Sequence, residues 1–282
     1  MAMITVLVTG IRGKTGRQVA AALLGRGNVT VRGVSRSVAD IAPFNTMHMD
    51  WEDPKTWGPS LTGVDAVYIV KPRTDPAQTV AAFLDLASEV RRVVLLSEID
   101  AGNRPASTPE REAETVIQHS SFEWTILRPN WFMQNFTEPS FYLEAVRDVG
   151  ELRIPSGGGA TSIVDTRDIG EAAAACLVSP GHAGRVYELT GPEAFSWRQI
   201  AYTLSDAAGH RVSHVDVPLE AYLVASAERG MSDASLDYYR RIYSSIRDGR
   251  TAGVSSHLAE ITGHPPRSFG AFVAEHRELW RR

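Results

Sequence analysis

The chain has 282 residues, a formal net charge of −4 and a pI near 6.1, with 43% hydrophobic and 22% charged residues. That composition suits two domains or one enlarged α/β unit with a full core, and it excludes a disulfide scaffold, a collagen-like chain, a largely disordered chain and a basic nucleic-acid binder. The single cysteine, Cys176, has no partner within the chain, and no apolar run approaches the roughly 20 residues of a membrane span. The start, MAMITVLVTG, lacks the basic region of a signal peptide, so a soluble cytoplasmic protein is expected, with no nucleic-acid or membrane partner.

Along the first 130 residues, strand-like and helix-like segments alternate, as in a parallel sheet covered by helices on both faces. Predicted strands cover 4–9, 29–35, 46–49, 66–70, 93–97 and 124–127, the last stopped by Pro129. Predicted helices cover 14–26, with Gly27 as its C-cap, then 77–87 and 109–118, the last opening on proline and acids. Beyond residue 150 the pattern turns helical. A glycine-rich loop at 156–159 and short strands at 162–164 and 186–189 are interspersed with amphipathic helices at 168–178, 196–208, 218–229, 233–248 and 268–280. The expected division is a first domain over 1–150 and a smaller, mostly helical cap over 151–282, with some elements interleaved.

The most informative stretch is VLVTGIRGKTGRQVAAAL. A buried strand ends at Thr9, and Gly10, Gly13 and Gly16 precede a helix. The first glycine permits a tight turn, the second lets backbone approach a pyrophosphate, and the third allows close helix–strand packing. The helix N-terminus then offers N–H groups and partial positive charge to the phosphates. An NAD-selective site would place an acid at the end of the second strand to hold the ribose 2′-hydroxyl. Here Ser35 and Arg36 stand there, with Arg12 inside the glycine turn, so NADP(H) is expected in preference to NAD(H).

Together TGIRGKTGRQVA, ASTPEREAETVIQHSSFEWTILRPNWFMQNF, SIVDTRDIGEAAAACL and GRVYELTGPEAFSWRQIA strongly resemble the NmrA-like branch of the atypical short-chain dehydrogenase/reductases, in order over nearly the whole chain. The resemblance implies a Rossmann-type doubly wound parallel sheet that binds NADP(H), with a small C-terminal domain closing a substrate cleft. It places Gly10, Gly13, Lys14, Thr15 and Gly16 along the pyrophosphate and Arg36 at the 2′-phosphate. Asp50 and Trp51 match the adenine-side acid and its neighbour. Val70, Lys71 and Pro72 would follow the ribose and nicotinamide, and Ser97, Glu98, Pro129, Asn130 and Trp131 end the next two strands. For Trp131 and Phe132, plain core packing is the competing reading.

Most short-chain reductases use a tyrosine acid with a lysine four residues later. The chain has only three lysines, Lys14, Lys55 and Lys71, and the residues four before them are Gly10, Trp51 and Val67, so that pair is absent. Reducing a ketone makes an alkoxide that needs a proton, whereas an iminium yields a neutral amine and a quinone a weakly basic oxyanion. The expected reaction is hydride transfer to an electron-poor small molecule (a quinone, iminium or enone), with positioning carrying most of the rate. Ser97 and Tyr142 are the candidate proton donors. Each has a structural alternative, a strand-end hydroxyl bonded to backbone and a packing aromatic. Glu98, Phe132, Phe136, Phe141, Tyr142 and Trp197 are candidates to line the substrate pocket. His119, Asp165 and Asp168 read as helix caps, and no histidine pair sits at metal-ligand spacing. A catalytically silent NADP(H) sensor and an isomerase or cyclase remain as alternatives, and a homodimer is a guess.

Overall fold

A computed structural model of the chain describes residues 3–37, 44–72, 74–139 and 141–282. The strands are β1 (Ile4–Val8), β2 (Val29–Ser35), β3 (Asn45–His48), β4 (Ala66–Val70), β5 (Arg92–Leu96), β6 (Glu123–Pro129), β7 (Glu151–Arg153), β8 (Ala160–Thr161), β9 (Arg185–Leu189), β10 (Phe195–Ser196) and β11 (Ser213–Val215). The helices are α1 (Gly16–Leu24), α2 (Trp57–Leu61), α3 (Pro76–Asp85), α4 (Pro109–Gln118), α5 (Thr166–Val178), α6 (Trp197–Ala208), α7 (Leu219–Glu228), α8 (Asp233–Arg247), α9 (His257–Thr262) and α10 (Phe269–His276).

Seven strands form one parallel sheet in the order β3-β2-β1-β4-β5-β6-β9. Alternation along the central strands sends Leu7, Val67, Ile69, Val93, Leu95 and Ile126 to one face, where they pack with Val80 and Phe83 of α3 and Ile117 of α4. Strands buried on both faces read as continuous apolar runs, which is why they stand out in the sequence. Helices α1 and α5 pack together: an added carbon at Gly170 of α5 would come within 2.6 Å of the Gln18 backbone, so only glycine allows this approach.

Several expectations need correction. Helix α1 is shorter than 14–26 because residues 10–15 are taken up by the turn, and its C-cap is Gly25 rather than Gly27. Arg185–Leu189 does not stay in the C-terminal half. It pairs with β6 from Thr125↔Arg185 to Pro129↔Leu189 and becomes the seventh strand of the large sheet. Strand 162–164 is replaced by the shorter β8, and Val164 makes an isolated bridge with Phe132. The short elements α2, α9, β7, β10 and β11 were not anticipated.

By their internal contacts the residues form two compact units. One comprises 1–129, 166–189 and 256–265, the other 130–165, 190–255 and 266–282. The break falls after Pro129 rather than at 150, and α5 and β9 belong with the sheet. In that first unit the backbone N–H of Glu188 donates to His257 Nδ1 (3.0 Å), which fixes α9 beside β9. The second unit has its own core around Phe136, Trp197, Tyr243, Phe269 and Trp280, with antiparallel β8–β10 and parallel β7–β11 pairings. Helices α6, α8 and α10 start on Ser196, Ser232 and Ser268, each accepting a backbone N–H in the first turn.

Candidate active site

At the C-terminal end of β1 the Thr9 hydroxyl accepts the Val70 N–H (2.8 Å), locking this strand end to β4. Gly10 then adopts φ +62°, and the Gly13 N–H donates to its carbonyl (2.8 Å). A carbon added at Gly16 would lie 2.2 Å from the Gly10 oxygen, and one at Gly10 would press on Val70 at 3.3 Å. The turn is therefore bare backbone feeding the start of α1, whose first turn carries no acid. This is a cradle suited to a diphosphate. Because the chain returns from β3 to β4 on the other side of β1, the cradle also lies where the strand order reverses, the usual ligand crevice of a doubly wound sheet.

Beside it opens a cavity of about 390 Å³ lined by Thr9, Gly10, Arg12, Gly13, Val34, Ser35, Arg36, Ser37, Met49 and Trp51. Arg12 donates to the Ser37 hydroxyl (2.7 Å), and the Ser35 hydroxyl donates to the Ser37 carbonyl (2.8 Å), which ties the glycine turn to the loop after β2. Two guanidinium groups and two serines line the space, and among the described residues none of the lining is an acid. That donor set fits a phosphate better than a ribose diol. Ser37 was missed in the sequence, although its position directly after Arg36 was a usable signal. Trp51 stands edge-on to Phe83 with ring centres 5.0 Å apart. Asp50 does not line the cavity. Its carboxylate accepts the Glu52 N–H (3.1 Å) and its carbonyl accepts the Trp57 indole N–H (2.7 Å), so it shapes the turn. A larger hollow of about 470 Å³ lies at the opposite, N-terminal ends of β5 and β6, where Arg91 and Glu123 pair with each other.

The C-terminal ends of β4, β5 and β6 carry a network of ionic side chains that sequence reading did not find. Ser97 does not bond to backbone through its hydroxyl as its structural alternative supposed; it donates to Glu114 Oε1 (2.6 Å). Glu114, fully buried on α4, also receives Arg128 through two bonds (2.8 and 2.6 Å) and Arg111 (2.6 Å). Burial pushes its acidity down, but the hydrogen bonds from Arg128, Ser97 and Arg111 outweigh it, so its pKa lies below the ordinary carboxylate value. Arg128 lies close over Gly102: a carbon added there would stand 2.4 Å from Nη1, so the guanidinium would have to shift. Next to this, Arg104 donates to Glu98 (3.0 Å) and lies 3.4 Å from Glu110 and 3.8 Å from Asp100. Burial lowers its pKa, and the three carboxylates more than reverse this. Lys71, directly after β4, places Nζ 3.7 Å from Glu98 and 3.6 Å from Glu110. The available signal was the spacing of Glu110 and Glu114, which puts both on one face of α4.

In the second unit, the Asn130 amide is fully committed: it donates to Ser162 Oγ and the Thr251 carbonyl (2.8 Å each) and accepts the Trp131 N–H (2.8 Å). Asn130 is thus a buried clamp within this unit. Phe136, expected to line a pocket, is fully buried in the core, against Tyr142 (5.4 Å), Trp197 and Phe269. Half-buried Phe132 precedes the helical turn Met133–Phe136. Tyr142 packs edge-on to Trp197 (5.9 Å), and burial of its hydroxyl pushes its pKa well up. The indole N–H groups of Trp131 and Trp197 are buried without a hydrogen-bond partner among the described residues. Among those residues no helix is long and apolar enough to cross a membrane, and no cluster of His, Cys, Asp and Glu is built to hold a metal.

The class these features define is an NAD(P)H-dependent oxidoreductase on a Rossmann-type sheet. The profile of a family described as NAD(P)H-binding matches residues 10–180. A NAD(P)H azoreductase of Xenophilus azovorans is 32% identical, covering 96% of this chain and 97% of that protein. Prestalk A differentiation protein A of Dictyostelium discoideum is 31% identical, covering 96% and 92%. In fold, the NADPH-dependent quinone oxidoreductase of Escherichia coli complexed with NADPH superposes with a TM-score of 0.83 at 21% identity, covering 96% of this chain and 99% of that one. The chain belongs to the NAD(P)H-binding family and is an NAD(P)H-dependent reductase.

Proposed function

We propose that the chain is an NADP(H)-selective reductase of planar, electron-poor acceptors, among them quinones, iminium ions and conjugated enones. The observation that carries the choice of cofactor is the cavity beside the glycine cradle, whose described lining includes Arg12, Ser35, Arg36 and Ser37. In this reading Gly10, Gly13, Lys14, Thr15 and Gly16 surround the diphosphate, Arg36 and Arg12 hold the 2′-phosphate, and Trp51 offers an apolar ring edge on the adenine side. Bound reduced nicotinamide supplies the hydride. The residues at and just after the ends of β4 and β5 (Val70, Lys71, Pro72, Ser97 and Glu98) flank the nicotinamide half, because that half runs from the β1 cradle away from β2.

The acceptor class follows from the missing tyrosine–lysine pair and from the company the chain keeps: its relatives include an azoreductase, and it shares its fold with a quinone oxidoreductase. The test is oxidation of NADPH and of NADH by a panel of quinones, cyclic imines, enones and azo compounds. Turnover that favours NADPH is expected with at least one acceptor. Tight NADPH binding without turnover across the panel would replace this reading with a sensor.

A further inference from the structure

We infer that Lys71 is the proton donor of the reaction, its ammonium held ready by Glu98 and Glu110. The inference rests on the reductase reading above and names the acid that the absent tyrosine–lysine pair leaves unassigned. Three observations carry it. First, Lys71 follows β4 immediately, and its neighbour Val70 packs on Gly10 of the phosphate cradle, so the ammonium stands on the nicotinamide side of the strand-order reversal. Second, Nζ lies 3.6–3.7 Å from one oxygen each of Glu110 and Glu98, while Arg104, 7% exposed, backs both carboxylates from behind. Lys71, at 23%, is the most exposed member of this group, so its charge is the one within reach of a ligand. Third, the chain carries 26 arginines but only three lysines. Arginine would keep the charge here but cannot release a proton, whereas lysine can.

In the proposed step the hydride arrives at the acceptor with its electron pair from the reduced nicotinamide, which is oxidised. The acceptor's π pair moves onto its heteroatom, an N–H bond of Lys71 breaks, and the proton passes to that heteroatom. Water then returns a proton to the amine. Among the described residues, Glu98 from the β5 end and Glu110 from α4 face Nζ, with Arg104 and Asp100 beside those carboxylates.

The experiment compares wild type with Lys71→Arg and Lys71→Met, using thermal melting and NADPH titration to establish that each folds and loads. Two readouts follow. Affinity of the NADP⁺ complex for 4-nitrophenolate, a stand-in for the reduced, negatively charged acceptor, is measured by calorimetry. Turnover with the best acceptor is measured as a function of pH. Lys71→Met should lose phenolate affinity, Lys71→Arg should retain it, and both should lose roughly 10²–10⁴-fold in kcat. The pH dependence of wild-type kcat on the alkaline side should be absent from both. Wild-type turnover with Lys71→Arg as fast as wild type, or phenolate binding indifferent to Lys71→Met, overturns the assignment and leaves the reductase reading intact. Wild type that turns over no acceptor removes both.

Discussion

Glu114 and Arg128 meet side by side in the interior, Nε on Oε1 at 2.8 Å and Nη2 on Oε2 at 2.6 Å. The carboxylate takes two further donors, Ser97 and Arg111, so all its lone pairs are used. Removing one partner of such a buried pair strands the other charge, which costs roughly 3–5 kcal/mol. Because the folded-state pKa of Glu114 is depressed, its contribution is present above the ordinary glutamate value, near 4.3, and is lost as pH falls through the folded value. Glu114→Gln is expected to lower the melting temperature most at neutral pH, with the gap to wild type closing in acid. Thermal unfolding across a pH series checks this; a gap that stays constant down to strong acid would refute it.

The glycine cradle makes a steric prediction. In Gly16→Ala the new methyl would sit 2.2 Å from the Gly10 oxygen, so the turn has to move. Overpacking of this kind costs about 1–3 kcal/mol, and the displaced backbone can no longer meet a diphosphate. Lower stability together with weaker NADPH binding is expected in melting and fluorescence titration. Unchanged affinity would mean that the diphosphate lies elsewhere.

Cofactor choice can be tested separately. A hydrogen bond to a charged group contributes about 1.5–3 kcal/mol, roughly a 10–150-fold change in affinity. Arg36→Asp, which also adds repulsion, should weaken NADPH by at least that factor while leaving NADH nearly unchanged. Equal losses for the two dinucleotides in parallel titrations would show that Arg36 does not read the 2′-phosphate.

Asn130→Ala removes a side chain whose three hydrogen bonds join β6's exit to Ser162 and Thr251. It leaves the Trp131 N–H short of a partner, at about 1–3 kcal/mol, while the Thr251 carbonyl keeps the Ser162 N–H (3.0 Å). A drop in denaturation midpoint is expected, and chemical unfolding measures it. A midpoint equal to that of wild type would show that the clamp is dispensable.

The parts of the fold that were readable in the sequence are those set by neighbours in the chain. Gly10, Gly13 and Gly16 could be found because the constraints on them act within seven residues, and the central strands because burial on both faces leaves an unbroken apolar run. Residues 185–189 carry no local sign of which sheet they join; only pairing with β6, some 60 residues earlier, decides it. The same holds for the charged cluster. Glu110 and Glu112 read as acids suited to a helix start, yet Glu112 is exposed while Glu110 and Glu114 turn inward to meet Arg104 and Arg128, partners the sequence does not point to. Asp50 and Asn130 match the resemblance in position, while their contacts with Glu52 and with Ser162 come from the local fold and are not announced by the sequence.

The seventh strand also bears on how the polypeptide is made. Once the ribosome has released residues up to Pro129, six strands of the parallel sheet exist, but the outer edge of β6 stays open until Arg185–Leu189 emerges. An unpaired edge of this kind is a template for wrong partners. A fragment ending near residue 150 therefore carries a raw seam where the full-length chain has a closed one, and it should be recovered chiefly as aggregate.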